Sequence, residues 1–188
     1  EGLEEKYARE LEECRSQFPS EPPVLGDEVL VLHFKEGIQM LKDAGGEGVE
    51  DFGDLNTAQE VELGRLVKEK HGVDFFVLHQ YPSAVRPFYT MPNVEDGRYS
   101  NSYDMFLRGQ EICSGAQRVH DPELLRSTIE GKGLEVETFA DYIKSFEHGC
   151  EPHAGAGFGL ERVVFLYLGL HSVKQTVMFP RDPNRLSP

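Results

Sequence analysis

The stretch GAGFGLER, residues 155–162, decides how the end of this chain folds and what it can bind. Its glycines recur at every second position, a period that is typical of a β-strand. Gly155, Gly157 and Gly159 are therefore predicted to share one face of a sheet. Glycine weakens the interior of a strand, so three on one face indicate that a ligand or another backbone lies close to it.

Arg162 stands at the predicted first turn of the helix that begins after the glycines, where the apolar run VVFLYLGL follows. The helix dipole disfavours a cation there by roughly 0.3–1 kcal/mol, and a bound anion would remove that cost. A flat ring on the glycines, with phosphates beside Arg162, would explain both features. A glycine-rich barrel corner with an ordinary surface arginine explains the spacing equally well.

Composition and charge limit the class of protein. The 188 residues are 39% hydrophobic and 28% charged, which is typical of a globular domain with a core. The net charge of -14 offers no basic patch for a nucleic-acid duplex, so any such contact must be local or lie elsewhere. The three cysteines are far apart, which predicts neither a disulfide framework nor a zinc site and favours a reducing cytoplasm. No apolar run reaches the roughly 20 residues of a membrane span, so we expect no membrane contact.

Hydrophobic periodicity predicts an α+β fold with a largely antiparallel sheet flanked by helices. Proline is expected to end the first helix near Phe18, and Thr57 is predicted to cap a long helix through a Thr-x-x-Glu box. A buried strand is predicted at 29–32. The other predicted strands are 74–78, 102–107, 110–118 and the glycine stretch, and the predicted helices are 1–18, 35–44, 57–71, 121–127, 138–146 and the one after the glycines.

A second stretch, RGQEICSGAQRVHD at 108–121, places polar groups inside a predicted strand. Glu111 and Ser114 are candidate oxygen ligands for Mg²⁺, which prefers carboxylate and phosphate oxygens. Arg118 is a candidate for bidentate binding of a carboxylate. An edge strand with a solvated polar face and an internal Glu–Arg pair is the alternative interpretation.

Together the two stretches resemble the C-terminal half of the catalytic domain of class II aminoacyl-tRNA synthetases, in particular the aspartyl family of the archaeal and eukaryotic cytosolic type. GAGFGLERVVFLYLG is similar to the third signature of the class. RPFYTMP, SNSYDMF, SGAQR, PHAG and MFPRDPNRLSP resemble the aspartyl family in order and spacing. The resemblance covers essentially the whole chain.

The resemblance implies roles for single residues. Arg162 would stack on the adenine and reach the γ-phosphate of a bent ATP, in the space that the three glycines leave. Glu111 and Ser114 would bind Mg²⁺ and ATP, and Arg118 would pair with the side-chain carboxylate of aspartate. The resemblance also implies that Ser114, Gln117 and His153 belong to the aspartate pocket. A packed histidine beside the glycine strand remains the alternative for His153.

The implied reaction is the ATP-dependent formation of aspartyl-adenylate and its transfer to tRNA-Asp, driven by positioning and charge neutralisation. The chain contains no match to the first two signatures of the class or to an anticodon-binding β-barrel, and we expect all three upstream of Glu1. Residues 1–188 are therefore predicted to be the C-terminal portion of the catalytic domain, without measurable aspartate activation alone. The full-length enzyme is expected to be a homodimer.

Two other functions remain open. An asparaginyl-tRNA synthetase or a class II-like asparagine synthetase would not need Arg118 as a charge partner. A non-catalytic module could have kept the fold and lost the reaction. The joint presence of Glu111, Ser114, Arg118 and Arg162 argues against such a module, and calorimetry with ATP and Mg²⁺ would distinguish it.

Overall fold

A five-stranded sheet organises the chain in a computed structural model that describes residues 2–187. The strands follow one another across the sheet in chain order; the first pair is parallel and each later pair is antiparallel. The predicted α+β fold with a largely antiparallel sheet is thereby confirmed. The strands are β1 (Leu30–His33), β2 (Phe75–His79), β3 (Ser102–Leu107), β4 (Gln110–Gln117) and β5 (Ala154–Phe158).

Helices flank the sheet, and most lie within a few residues of their predicted positions. None of the helices within residues 2–187 combines the length and the hydrophobicity that a bilayer crossing requires. They are α1 (Gly2–Lys6), α2 (Ala8–Gln17), α3 (Phe34–Asp43), α4 (Thr57–His71), α5 (Pro122–Gly131), α6 (Ala140–Lys144) and α7 (Leu160–Tyr167), with 3₁₀ turns at Ser83–Val85, Val136–Phe139 and Val173–Thr176.

The predicted single N-terminal helix is wrong, because Tyr7 leaves helical geometry (φ -121°, ψ 30°) and separates α1 from α2. The end of α2 agrees with the prediction. Phe18 has φ -128° and ψ 82°, outside the helical region, because a following proline disfavours that region for the residue before it.

Three further predictions need correction. Asn56, not Thr57, caps α4: its side chain accepts a hydrogen bond from the Gln59 N–H, and the Gln59 side chain accepts one from the Asn56 N–H, both at 3.0 Å. The predicted strand at 29–32 is not buried throughout, because β1 is an edge strand and Val31 faces away from the core with 54% exposure. The predicted helix at 138–146 is a 3₁₀ turn followed by the short α6.

Helices pack on both faces of the sheet, and two neighbouring residues of β3 show which helices lie on which face. Phe106 is fully buried in a core with Leu63 and other side chains of α3 and α4. Leu107 points the opposite way and packs against Phe165 of α7. β5 lies at the other edge and most of its residues are exposed. On the face that α3 and α4 cover near β3, the sheet therefore becomes open toward β5, where a Cβ atom on Gly157 would meet no atom within 4 Å.

Candidate active site

A bulge in β4 places Glu111 and Ser114 on that open face. Ser114 pairs with Asp104 of β3, Glu111 pairs with Phe106, and the register shifts between these pairs at Ile112. Alternate residues of β3 share a face, so the residues opposite them do too. Without the bulge, residues three apart on a strand would face opposite sides. The structure thus brings together the two predicted Mg²⁺ ligands.

β5 adds glycine positions to the same face. Gly157 pairs with Ser114, and Gly155 lies two residues before it. A Cβ atom on Gly157 would meet no atom within 4 Å, whereas one on Gly155 would lie 3.4 Å from Nη2 of Arg118. The space above Gly157 is therefore open, and the side chain of Arg118 fills the space above Gly155.

Arg162 lies in the first turn of α7, where the sequence predicts it, and Gly159 is the N-cap. Its Nη1 donates a hydrogen bond of 2.5 Å to the backbone carbonyl of Glu111. A Cβ atom on Gly159 would lie 3.3 Å from the Cβ of Arg162. Gly159 thus gives room to the arginine itself, and the guanidinium is held at the edge of the open face.

Arg118 presents a positive charge at a cavity of about 240 Å³ that Ser114 and Arg86 also line. Its guanidinium lies 4.3 Å from the ring centroid of Tyr89, which supports it by a cation–π contact. Within the described residues 2–187, no carboxylate lies within ion-pair distance of Arg118. A guanidinium in this setting is suited to bind a carboxylate with two hydrogen bonds.

Arg86 and Asp104 also belong to the site, and the sequence analysis missed both. Arg86 follows a 3₁₀ turn, forms an ion pair of 2.5 Å with Asp104 and donates a hydrogen bond of 3.3 Å to Oγ of Ser114. Its guanidinium stacks 3.8 Å from the ring centroid of Tyr81. The one local signal was an aspartate alone in a predicted strand. Asp104 becomes part of the site only because β3 pairs with β4, which places it opposite Ser114.

Acidic groups converge beside these arginines. Burial, and then the nearby Asp104 carboxylate, raise the pKa of Glu111, while Arg162 and Arg86 oppose that rise. Glu60, in the first turn of α4, has its pKa raised to about 7 by burial and by the charges of Glu111 and Asp104. The sequence analysis did not single out Glu60, because nothing in a helix-capping pattern points to a site.

The acidic groups could hold a divalent cation together with a phosphate. One oxygen of Asp104, Oδ1, is buried and accepts no hydrogen bond from any described residue. Residues 2–187 contain no cluster of three or more metal-binding side chains that could hold an ion alone. Mg²⁺ is commonly bound by one or two carboxylates together with substrate phosphates and waters. Asp104 and Glu111 match that pattern.

Two predicted aspartate-binding residues take other positions. The side chain of Gln117 faces the opposite side of the sheet and accepts a hydrogen bond of 2.8 Å from Nδ2 of Asn101. A contact of Gln117 with aspartate stays a prediction, which this placement does not favour. The backbone carbonyl of His153 accepts a hydrogen bond from the Arg118 N–H, and its ring stacks on Phe146 at 6.1 Å. His153 is nevertheless exposed, so it is not a packed core residue, and its place in the aspartate pocket stays a prediction.

The largely antiparallel sheet, with a glycine strand at its edge and an arginine in the first turn of the helix that follows, matches the fold expected for a class II synthetase catalytic domain. The family model for tRNA synthetases class II (D, K and N) matches residues 1–183. The chain belongs to this family.

Individual relatives agree with this assignment. The chain is 54% identical over 187 residues to the cytoplasmic aspartate–tRNA ligase of Rattus norvegicus, covering 100% of the chain and 37% of the relative. It is 53% identical over 186 residues to aspartate–tRNA ligase 1, cytoplasmic, of Arabidopsis thaliana, covering 99% of the chain and 35% of the relative. The chain thus spans just over a third of the length of these curated relatives.

Solved structures show the same fold. An aspartyl-tRNA synthetase from Entamoeba histolytica superposes with a TM-score of 0.95 at 49% identity, over 100% of this chain and 38% of that one. An asparaginyl-tRNA synthetase from Pyrococcus horikoshii superposes with a TM-score of 0.85 at 28% identity, over 98% of this chain and 43% of that one.

Proposed function

We propose that the chain is part of a cytoplasmic aspartate–tRNA ligase, which activates L-aspartate with ATP and transfers it to tRNA-Asp. The observation that carries the proposal is Arg118, which lies at a cavity beside the open position of Gly157 and forms no ion pair with a residue among 2–187. The names of the relatives and the higher identity to the aspartyl than to the asparaginyl structure support it. A neutral asparagine side chain would leave Arg118 without a partner.

The residues of the open face suit each partner of the first reaction. Arg118 would hold the side-chain carboxylate of aspartate, and the adenosine would lie over Gly157. Arg162 would bind the phosphates at the far end. The α-carboxylate oxygen then forms a bond to the α-phosphorus while the bond to the leaving pyrophosphate breaks. This positioning accounts for most of the catalysis, because no protein nucleophile is needed.

The second reaction transfers the aspartyl group to tRNA. A ribose hydroxyl at the 3′ end of tRNA-Asp attacks the aspartyl carbonyl carbon and AMP leaves.

Glu111 and Asp104 would hold Mg²⁺ through carboxylate oxygens, with Ser114 as the further predicted ligand. The hydroxyl of Ser114 already accepts a hydrogen bond from Arg86. Mg²⁺, when bound, supplies positive charge to the phosphates.

The proposal includes a longer protein. Residues 1–188 would be the C-terminal portion of the catalytic domain, while the remaining ATP-binding groups, the dimer interface and the anticodon-binding domain would lie elsewhere. The fraction of each relative that the chain covers supports this division. The exposure of large apolar side chains at the end of β5 and the start of α7 also supports it, since Phe158 is 63% and Leu160 is 69% exposed.

Pyrophosphate exchange by the complete protein tests the proposal. We expect exchange that depends on aspartate and not on asparagine, and we expect Arg118→Leu to lower it at least about 100-fold, because a buried carboxylate loses its charge partner. Arg126→Leu is the matched control, since Arg126 forms ion pairs with Glu123 and Glu147 away from the site.

Three results would point elsewhere. Exchange with asparagine, or amino-acid selectivity that survives Arg118→Leu, would favour the asparaginyl alternative. Absence of heat on titration of the complete protein with ATP and Mg²⁺ would favour a non-catalytic module. Exchange by residues 1–188 alone, well above background, would contradict the proposed division of the site.

A further inference from the structure

Lys132, at the C-terminal end of α5, reaches across to the turn that carries Arg86. Its Nζ donates hydrogen bonds of 2.8 Å and 2.7 Å to the backbone carbonyls of Ser83 and Ala84. Its own backbone N–H bonds to carbonyls of the last turn of α5, so the base of the side chain is fixed. We propose that Lys132 is a positioning residue that holds Arg86 in the active site.

The turn at Ser83–Val85 needs such a contact. The Ser83 side chain and N–H already bond to carbonyls of Gly97, Tyr99 and Arg98, which fixes the start of the turn. For the Ala84 carbonyl, the described residues provide no donor other than Lys132. The carbonyls at the end of a helical turn also attract a cation. Lys132 therefore holds the carbonyls of Ser83 and Ala84, three and two residues before Arg86.

Packing fixes this segment unevenly, because Ala84 is exposed whereas Phe88, further along, packs against the core of α5 and α6. A cavity of about 480 Å³ separates it from α5, and Ala84, Pro87, Phe88 and Lys132 are among the residues that line it. Ala84 therefore has few packed neighbours that would resist a shift of its carbonyl. The two hydrogen bonds of Lys132 span the rim of that cavity.

The same contact links the two arginines of the site. α5 begins at Pro122, shortly after Arg118, and its buried residues form a core with Val119 and with side chains of α6. The segment that Lys132 holds continues from Arg86 to Tyr89, whose ring supports the guanidinium of Arg118. Lys132 thus ties the segment bearing Arg86 to the helix anchored beside Arg118.

The test uses pyrophosphate exchange by the complete protein and rests on the proposed function. We expect Lys132→Met to lower kcat/KM for aspartate about five- to tenfold, the size expected for losing charged hydrogen bonds at a partly exposed site. Lys132→Arg keeps a charged donor and should stay within about twofold of the parent, because the interaction is with carbonyl oxygens. Lys144→Met is the matched control, since Lys144 is an exposed lysine of α6 whose side chain forms no hydrogen bond with another described residue.

A double-mutant cycle distinguishes positioning from general support. If Lys132 acts through Arg86, Lys132→Met should have less effect in an Arg86→Lys background than in the parent. Full additivity, or parent activity in both Lys132→Met and Lys132→Gln, would overturn the inference. If Arg86→Lys and Arg118→Leu also left exchange unchanged, the proposed function itself would be wrong.

Discussion

Gly64 of α4 and Gly109 of the β3–β4 turn are in backbone contact: a Cβ atom on Gly64 would lie 2.3 Å from the Cα of Gly109. Gly109 also has a φ of 74°, which disfavours any side chain there. The two glycines therefore set how closely α4 approaches the hairpin. This approach brings Glu60, one turn before Gly64, near Glu111. The pKa of Glu60 is raised first by burial and then by the charge of the Glu111 carboxylate.

The first prediction concerns this contact. Gly64→Ala should lower the free energy of unfolding by about 1–3 kcal/mol, because the new methyl group forces the helix away from the turn. Gly131→Ala is the matched control: Gly131 is also helical, but a Cβ atom there meets nothing within 4 Å. It should be neutral or stabilising by up to about 1 kcal/mol. Equal unfolding curves for the two variants, measured in urea, would contradict the packing.

The second prediction concerns the ion pair between Arg86 and Asp104, whose side chains are 15% and 6% exposed. Arg86→Met leaves a buried carboxylate without its partner and should lower the free energy of unfolding by about 3–5 kcal/mol. The double variant Arg86→Met/Asp104→Leu removes both charges and should regain most of that loss. A double variant as unstable as Arg86→Met alone would show that packing, rather than charge, explains the loss.

The third prediction concerns pH. The pKa of Glu60 is about 7 in the folded protein, above its ordinary value of 4.5, so the folded state binds the proton more tightly than the unfolded state. The contribution of protonated Glu60 to the free energy of unfolding is complete below about pH 4.5 and is lost as the pH rises through about 7. Glu60→Gln removes the proton site and should gain stability over the parent between pH 5 and pH 8, by about 1 kcal/mol after solvent screening.

Thermal denaturation of both proteins across this pH range measures the effect. Glu62→Gln is the control, since Glu62 lies on the same helix and its pKa is lowered by its hydrogen bond to Arg65. A constant difference between Glu60→Gln and the parent at every pH would contradict the raised pKa.

The fourth prediction separates folding from ligand binding at Gly157. A side chain there enters open space and suits a strand, so Gly157→Val should leave the thermal midpoint nearly unchanged. The same side chain would occupy the space over Gly157 that is proposed for adenosine, so the KM for ATP of the complete protein should rise at least about tenfold. Gly157→Ala should cause a smaller rise. An unchanged KM in Gly157→Val would exclude adenosine from this position.

Much of the fold could be predicted from local sequence patterns. The period of two in β5, the apolar run of α7 and the placement of Arg162 in the first turn of that helix all depend on neighbouring residues. The cap of α4 was misplaced by one residue because Asn56 and Thr57 are both good caps, and the local sequence does not choose between them.

The sequence by itself determined the kinds of element and the chemical groups they carry, including Arg118, because periodicity and side-chain chemistry are local properties. Only the tertiary structure decided which groups meet. The bulge in β4 places Glu111 on the same face of the sheet as Ser114, and strand pairing places Gln117 on the opposite face. The pairing of Arg86 with Asp104 depends on a loop folding back onto β3, a long-range contact that no local pattern encodes.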